Sequence, residues 1–367
     1  MPLPVYLCHI LTKVTVLEIP NNKIYSEQRT TLRQRILQIE HEDFNPLALD
    51  IFRFQAKYNA VYREFLLYLN TGIDKVRRLT EIPFLPIQLF KQHTIRTGQP
   101  PVSQVIFESS GTTGSNTSRH HLHDAALYEA ISVRIFEAHY GPLKNFHILA
   151  LLPSYLERNN SSLVYMMDHF IKESGSEYSG FYLHDTQELL TRLRYLKDHP
   201  DGKQILLLGV TFALLDLAEN RDRLEFLKGL PQLTVMDTGG MKGRRREMLR
   251  EEVHDLLTSA FGVSKIHSEY GMTELLSQGY SSGDGLFVPG KTMRVLLRDI
   301  NDPFSVHDQN ISSNKTGGIN VIDLANLDTC SFVETQDLGR YGNDANSFYV
   351  MGRFDNSDIR GCNLMIL

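Results

Sequence analysis

Between Leu233 and Glu274 the chain reads as strand, helix and strand, and that order limits the fold more than any other stretch. Residues 233–236 are apolar and end in Asp237, Thr238, Gly239 and Gly240. Residues 243–262 space Met248, Val253, Leu256, Leu257 and Phe261 along one side of a helix. Residues 264–267 form a second strand, which runs into Ser268, Glu269, Tyr270, Gly271, Met272, Thr273 and Glu274. Two strands joined by a helix lie parallel in one sheet. Ligands of such sheets gather beyond the carboxyl ends of the strands. Both polar glycine turns fall there, so they can face one pocket.

The same alternation continues upstream. A helical segment covers about 26–70, as 29–39 and then 47–69, with Ile51, Phe54, Tyr58, Val61 and Phe65 at helical spacing. Ile82, Pro83, Phe84, Leu85 and Pro86 are extended by their two prolines. Helices are expected near 123–139, 163–172 and 186–197, with strands at 146–152 and at 204–208, the latter leading into another helix. From Leu286 the texture changes to short strands at 294–297, 318–323, 331–334 and 347–351, an antiparallel pattern. The expected class is α/β. A body over 1–285 holds mixed and parallel sheets with flanking helices, and 286–367 forms a smaller β-rich subdomain and tail.

With 367 residues the chain can bury a substantial core. A net charge of −5 and no basic stripe argue against a nucleic-acid partner. The cluster Lys242, Arg244, Arg245, Arg246 reads as a solvated face. Cys8, Cys330 and Cys362 are too far apart for a metal pattern or a disulfide framework, which favours a reducing compartment. The apolar first twenty residues carry Lys13 and Glu18 and lack a basic n-region, so they do not read as a signal peptide. They would suit a contact in a homo-oligomer. No apolar run reaches membrane-spanning length, and the expected location is the cytoplasm.

After the apolar run 102–107 comes Glu108, then Ser109, Ser110, Gly111, Thr112, Thr113, Gly114 and Ser115. Glycines let backbone approach a ligand, and successive N–H groups form an anion-binding concavity. No Lys-Ser/Thr pair follows, so this is not a Walker A loop. Alone, such a cluster is more often an ordinary surface loop than a phosphate cradle. His120, His121 and His123 follow without the partners of a structural zinc site, and read as loop or pocket-wall histidines.

Four segments now stand in order: Ser109 to Gly114, Tyr270-Gly271-Met272-Thr273-Glu274, Thr335-Gln336-Asp337-Leu338, and Gly352-Arg353-Phe354-Asp355. The set resembles the adenylate-forming superfamily, which includes acyl-CoA synthetases, phenylacetate-CoA ligases and LuxE-type acyl-protein synthetases. Similarity to the LuxE type extends upstream through Phe44-Asn45-Pro46-Leu47-Ala48, Phe52-Arg53-Phe54-Gln55 and residues 82–91, and so covers about 40–367. The resemblance implies a large N-terminal adenylation domain that joins a carboxylic acid to the α-phosphate of ATP with Mg²⁺. It implies that Ser109, Ser110, Gly111, Thr112, Thr113 and Gly114 hold the β- and γ-phosphates. Thr273 would touch the α-phosphate and Glu274 would ligate Mg²⁺. Gly239, Gly240, Tyr270 and Gly271 would flank the adenine, and Asp337 would take the ribose hydroxyls with Arg353 beside it. Taken alone, Glu274 also suits a helix start, Asp337 a turn, and Arg353 a surface pair with Asp355 or Asp358.

Typical members continue past the Gly-Arg segment into a mobile domain, whereas this chain ends fourteen residues after Arg353. The expectation is therefore an enzyme without that domain, as in LuxE-type synthetases, whose acyl group is captured by a cysteine near the C-terminus. Cys362 occupies that place, with Arg360 nearby to favour the thiolate. Alternatively Leu364, Met365, Ile366 and Leu367 tuck in as an edge strand and bury the thiol. The implied acid is fatty, and from the cysteine the acyl group passes to a reductase; alternatively the adenylate hands it directly to an acyl carrier protein or coenzyme A, with Cys362 structural. A non-catalytic nucleotide-binding scaffold is the remaining reading. Pro153, Tyr155 and residues 164–167 serve either as acyl-pocket lining or as core.

Overall fold

The computed structural model describes residues 22–98, 103–109, 117–153, 157, 160–239, 248–308, 315–344 and 346–354. It opens with three helices, α1 (Asn22–Leu37), α2 (Phe44–Tyr58) and α3 (Ala60–Tyr68). Then come β1 (Leu85–Pro86), α4 (Leu89–Gln92) and a hairpin of β2 (Val105–Glu108) and β3 (Arg119–Leu122). The parallel part follows: α5 (Ala125–Tyr140), β4 (Phe146–Leu151), α6 (Ser162–Ser174), β5 (Gly180–Phe181), α7 (Thr186–Asp198) and β6 (Gln204–Val210). It continues with α8 (Thr211–Ala218), α9 (Arg221–Leu224), β7 (Leu233–Thr238), α10 (Arg250–Phe261) and β8 (His267–Tyr270). The remainder is β9 (Gly279–Ser281), β10 (Leu286–Pro289), β11 (Met293–Arg298), β12 (Val306–His307), β13 (Gly317–Asp323), β14 (Phe332–Tyr341) and β15 (Phe348–Arg353).

Among the described residues, one sheet runs β12-β11-β13-β14-β15-β10-β9-β8-β7-β6-β4-β5, with β1 added parallel to β14. Its β5-β4-β6-β7-β8 half is parallel, as the strand–helix–strand order requires. β4 and β6 are buried almost throughout, which explains their unbroken apolar sequence. The other half is antiparallel. β10 joins the halves: Leu286 and Phe287 pair with β15, while Val288 and Pro289 pair with β9.

Side-chain caps set the helix starts. The Asp124 carboxylate accepts from Leu127 N–H, Ser161 Oγ from Val164 N–H, and Asp185 from Glu188 N–H. Asp124 also takes Arg33, and Arg29 forks onto Asp328 at 2.5 and 2.6 Å, which ties α1 to α5 and to the turn before β14. Met166 and Met167 lie in the core, as does Val164; Pro153 is partly exposed, and Tyr155 lies outside the described residues.

The first helix begins at Asn22 rather than at 29, and four further boundaries differ from the sequence reading in ways that bear on the site or the core. The expected 47–69 helix is two helices, because Asn59 leaves the helical region and turns its side chain to tertiary partners. Its amide donates to the Thr329 carbonyl (2.7 Å) and Thr97 Oγ1 (3.2 Å), and its Oδ1 accepts from Tyr62 N–H. The expected 243–262 helix begins only at Arg250, after an extended Leu249, and Leu256 on its expected apolar side is 38% exposed. The expected 264–267 strand lies at His267–Tyr270, so the polar Ser268 and Glu269 are buried strand residues. Finally, the 331–334 strand runs on to Tyr341, which places Asp337 within a strand rather than in a turn.

Candidate active site at the carboxyl ends of β7 and β8

Ser109 and Ser118 close the base of the loop between β2 and β3. Ser109 N–H donates to the Ser118 carbonyl (3.1 Å), and Ser118 N–H donates to Ser109 Oγ (3.0 Å). Ser110, Gly111, Thr112, Thr113 and Gly114 lie outside the described residues, as do Gly240 and Cys362.

Across from this base stands the turn after β8. The Glu274 carboxylate is buried and accepts from the Ser118 hydroxyl; burial raises its pKa, and that hydrogen bond opposes the rise. The Thr273 carbonyl accepts from His120 (2.8 Å), and the Glu274 carbonyl from Asn326 Nδ2 (2.8 Å). Asp323 takes the N–H groups of Leu276 (2.7 Å) and Ser277 (2.9 Å). Backbone and carboxylate are thus fixed from three elements. No ion pair to Glu274 is found among the described residues. A buried carboxylate of this kind is a hard oxygen donor that fits a magnesium ion. No cluster of three or more His, Cys, Asp or Glu suited to a metal occurs among the described residues, so a cation here would draw its other oxygens from substrate and water.

Tyr270 ends β8 with its ring edge-on to Phe348 (5.3 Å between centroids) and tilted against Phe287 (5.8 Å). Its hydroxyl donates to Asp337 Oδ2 at 3.0 Å. Asp337 faces Arg353 in register across β14 and β15, and Arg353 Nε lies 3.3 Å from Asp337 Oδ1. Burial raises the Asp337 pKa, while Arg353, Tyr270 and Arg298 pull it back. Arg298 lies buried behind the strand and donates to the carbonyls of Ile319 (2.9 Å) and Thr335 (2.7 Å). The Arg353 side chain is 69% exposed, so one edge of this cluster meets solvent. A carboxylate offers about four acceptor positions, so Asp337 retains room for two hydroxyl groups.

Gly239 follows β7 directly with φ +74°, and its carbonyl accepts from Thr211 Oγ1 (3.3 Å). Beneath it lie two carboxylates that sequence reasoning left out. Asp237 accepts from Ser268 (2.5 Å) and Thr211 (3.3 Å). Glu269 accepts from Thr238 (2.5 Å) and sits where a side chain at residue 271 would go, since a Cβ added to Gly271 would lie 2.3 Å from Glu269 Oε1. That approach accounts for the glycine. Burial lifts the Glu269 pKa to about 7; Thr238 opposes this and Asp237 adds to it. The sequence showed only an acidic residue between a serine and a tyrosine, just past the strand expected at 264–267.

Glu269 binds its proton more tightly folded than unfolded, so its favourable contribution is whole below its unfolded pKa. It is lost as pH rises through about 7. Glu269→Gln cannot ionise, and its stability relative to wild type is expected to grow by about 3 kcal/mol between pH 4.5 and 8. Urea melts at those two pH values read this directly. An unchanged difference would mean that Glu269 does not titrate in that window.

No protein-family model matches the chain, and no curated protein matches it in sequence. Among solved structures, coronafacic acid ligase from Pectobacterium brasiliense is similar at 16% identity and a TM-score of 0.43, over 62% of this chain and 43% of that one. The adenylation domain of a keto acid-selecting NRPS module, bound to keto acyl adenylate, is similar at 11% identity and a TM-score of 0.47, over 80% of this chain and 58% of that one. The chain therefore spans about half the length of the structures it matches.

Proposed function

We propose that this chain is an adenylate-forming enzyme of the LuxE type, which activates a carboxylic acid, a fatty acid by resemblance, as its acyl-adenylate. The acyl group then passes to the thiol of Cys362 and on to a reductase or other acceptor. One observation carries the first half. Residues far apart in the chain make contact: Ser118, whose N–H binds Ser109 Oγ, reaches Glu274, and Tyr270 reaches Asp337, which pairs with Arg353.

In this reading the substrate carboxylate oxygen attacks the α-phosphorus of ATP, a P–O bond to the leaving pyrophosphate breaks, and an acyl phosphate anhydride forms. Both partners are anions, so the site must neutralise charge that builds on the phosphoryl oxygens. The loop from Ser109 to Gly114 supplies backbone and hydroxyl donors to the departing phosphates. Thr273 holds the α-phosphate in line, with its backbone already fixed by His120. Glu274 would hold Mg²⁺, which when bound would neutralise phosphate charge. Asp337 orients the ribose, and Tyr270, Gly239, Gly240 and Gly271 bracket the adenine. The second half is thiol chemistry: the Cys362 thiolate attacks the acyl carbonyl, AMP leaves, and the thioester stays activated for transfer. By contrast, burial pushes the Cys330 thiol up to about 12, which makes it unreactive.

Intact mass after incubation with ATP, Mg²⁺ and mixed fatty acids tests both halves. A hydroxylamine-sensitive acyl adduct is expected on wild type and not on Cys362→Ser. Pyrophosphate release without an adduct would move the acceptor to another molecule, such as an acyl carrier protein or coenzyme A. No pyrophosphate with any acid would leave the scaffold reading.

A further inference from the structure

We infer that His120 is a positioning residue that holds the Thr273–Glu274 turn against the strand leading out of the Ser/Thr/Gly loop, and so couples the phosphate end of the site to its metal end. This rests on the proposed activation chemistry and adds a residue that the motifs do not mark.

The geometry is that of a strand addressing a turn. Residues two apart on an extended strand point to the same side. Ser118, just before β3, and His120 within it reach consecutive residues of the turn: the Ser118 hydroxyl binds the Glu274 carboxylate, and the imidazole binds the Thr273 carbonyl. A carbonyl only accepts, so His120 Nδ1 carries the hydrogen, and neutral Nε2 is left to accept from the Thr329 hydroxyl at 3.1 Å. Thr329 is itself fixed, because its carbonyl takes both Asn59 Nδ2 (2.7 Å) and Thr97 Oγ1 (2.6 Å). The residue is fully buried and opposite Phe107 in the β2–β3 pairing, and its ring has the Phe90 ring edge-on at 5.9 Å. Burial drops its pKa to about 4, so it stays neutral and keeps this one tautomer near neutral pH. The imidazole therefore works as a rigid donor that sets where Thr273 sits, and Glu274 follows along the backbone.

Two substitutions separate the bonds. His120→Asn puts an amide donor near the Nδ1 position and keeps the bond to Thr273, while His120→Gln reaches the Nε2 position and keeps the bond to Thr329. Acid-dependent pyrophosphate release is measured for both while Mg²⁺ is titrated, together with melting temperatures. His120→Gln is expected to lose about 10- to 100-fold in kcat or in apparent Mg²⁺ affinity, the usual effect of removing a group that orients a metal ligand. His120→Asn should stay within about threefold of wild type, with melting temperatures lowered alike. Equal impairment of the two variants, or none in either, would show that the ring only fills space. A working wild type beside such a result overturns the positioning role alone. A wild type that neither releases pyrophosphate nor binds Mg²⁺-ATP by calorimetry overturns the activation reading and this role with it.

Discussion

Glu274→Gln is expected to lower acid-dependent pyrophosphate release by at least about 100-fold, the range seen when a charge-stabilising group is removed from a reacting centre. The glutamine keeps the size of the side chain and can still accept the Ser118 hydroxyl, so what disappears is the negative charge that would hold Mg²⁺. Backbone placement should survive, because His120, Asn326 and Asp323 grip the turn through main-chain atoms. The melting temperature should hold or rise, since burial disfavours the charged form of Glu274. Wild-type turnover in this variant would remove Glu274 from the metal role. Loss of turnover together with loss of folding would make the effect structural.

The second large effect is expected at Asp337. Asp337→Ala should raise the KM for ATP by about 10- to 100-fold, because hydrogen bonds to a charged acceptor are worth roughly 1.5–3 kcal/mol. The KM for the acid should barely move. Tyr270→Phe is the control: it removes the 3.0 Å donor to Asp337 Oδ2 and leaves the carboxylate in place. If Tyr270→Phe weakened ATP as strongly as Asp337→Ala, the ribose assignment would fail, and the pair would matter only as a buried polar cluster.

The parallel half of the fold was legible because β4 and β6 are buried on both faces and so are written in uninterrupted apolar residues. β8 was harder to place. Its buried residues Ser268 and Glu269 are polar, and their partners Asp237 and Thr238 lie 31 residues away in sequence. The Asn59 break was hidden for a similar reason. Apolar spacing continues through it, while the bonds that end the helix reach Thr97 and Thr329, 38 and 270 residues on. In the site, Tyr270, Asp337 and Arg353 could be named together because each sits in a motif of its own. Ser118 and Glu269 could not, and His120 could be named only as a loop or pocket-wall histidine, since their meaning depends on which side of a strand they occupy and on what lies opposite.

Tyr270 and Asp337 touch although β9, β10 and β15 lie between their strands in the sheet. Four steps at about 4.8 Å would hold them roughly 19 Å apart on a flat surface, far beyond the reach of a tyrosine. The surface is therefore folded over, and its crease runs along β10, whose two ends bond to different neighbours. Tyr270, Phe287 and Phe348 fill the inside of that crease, one ring each from β8, β10 and β15. The meeting of Tyr270 with Asp337 is thus a property of the sheet's curvature, set by backbone pairing before any loop is considered.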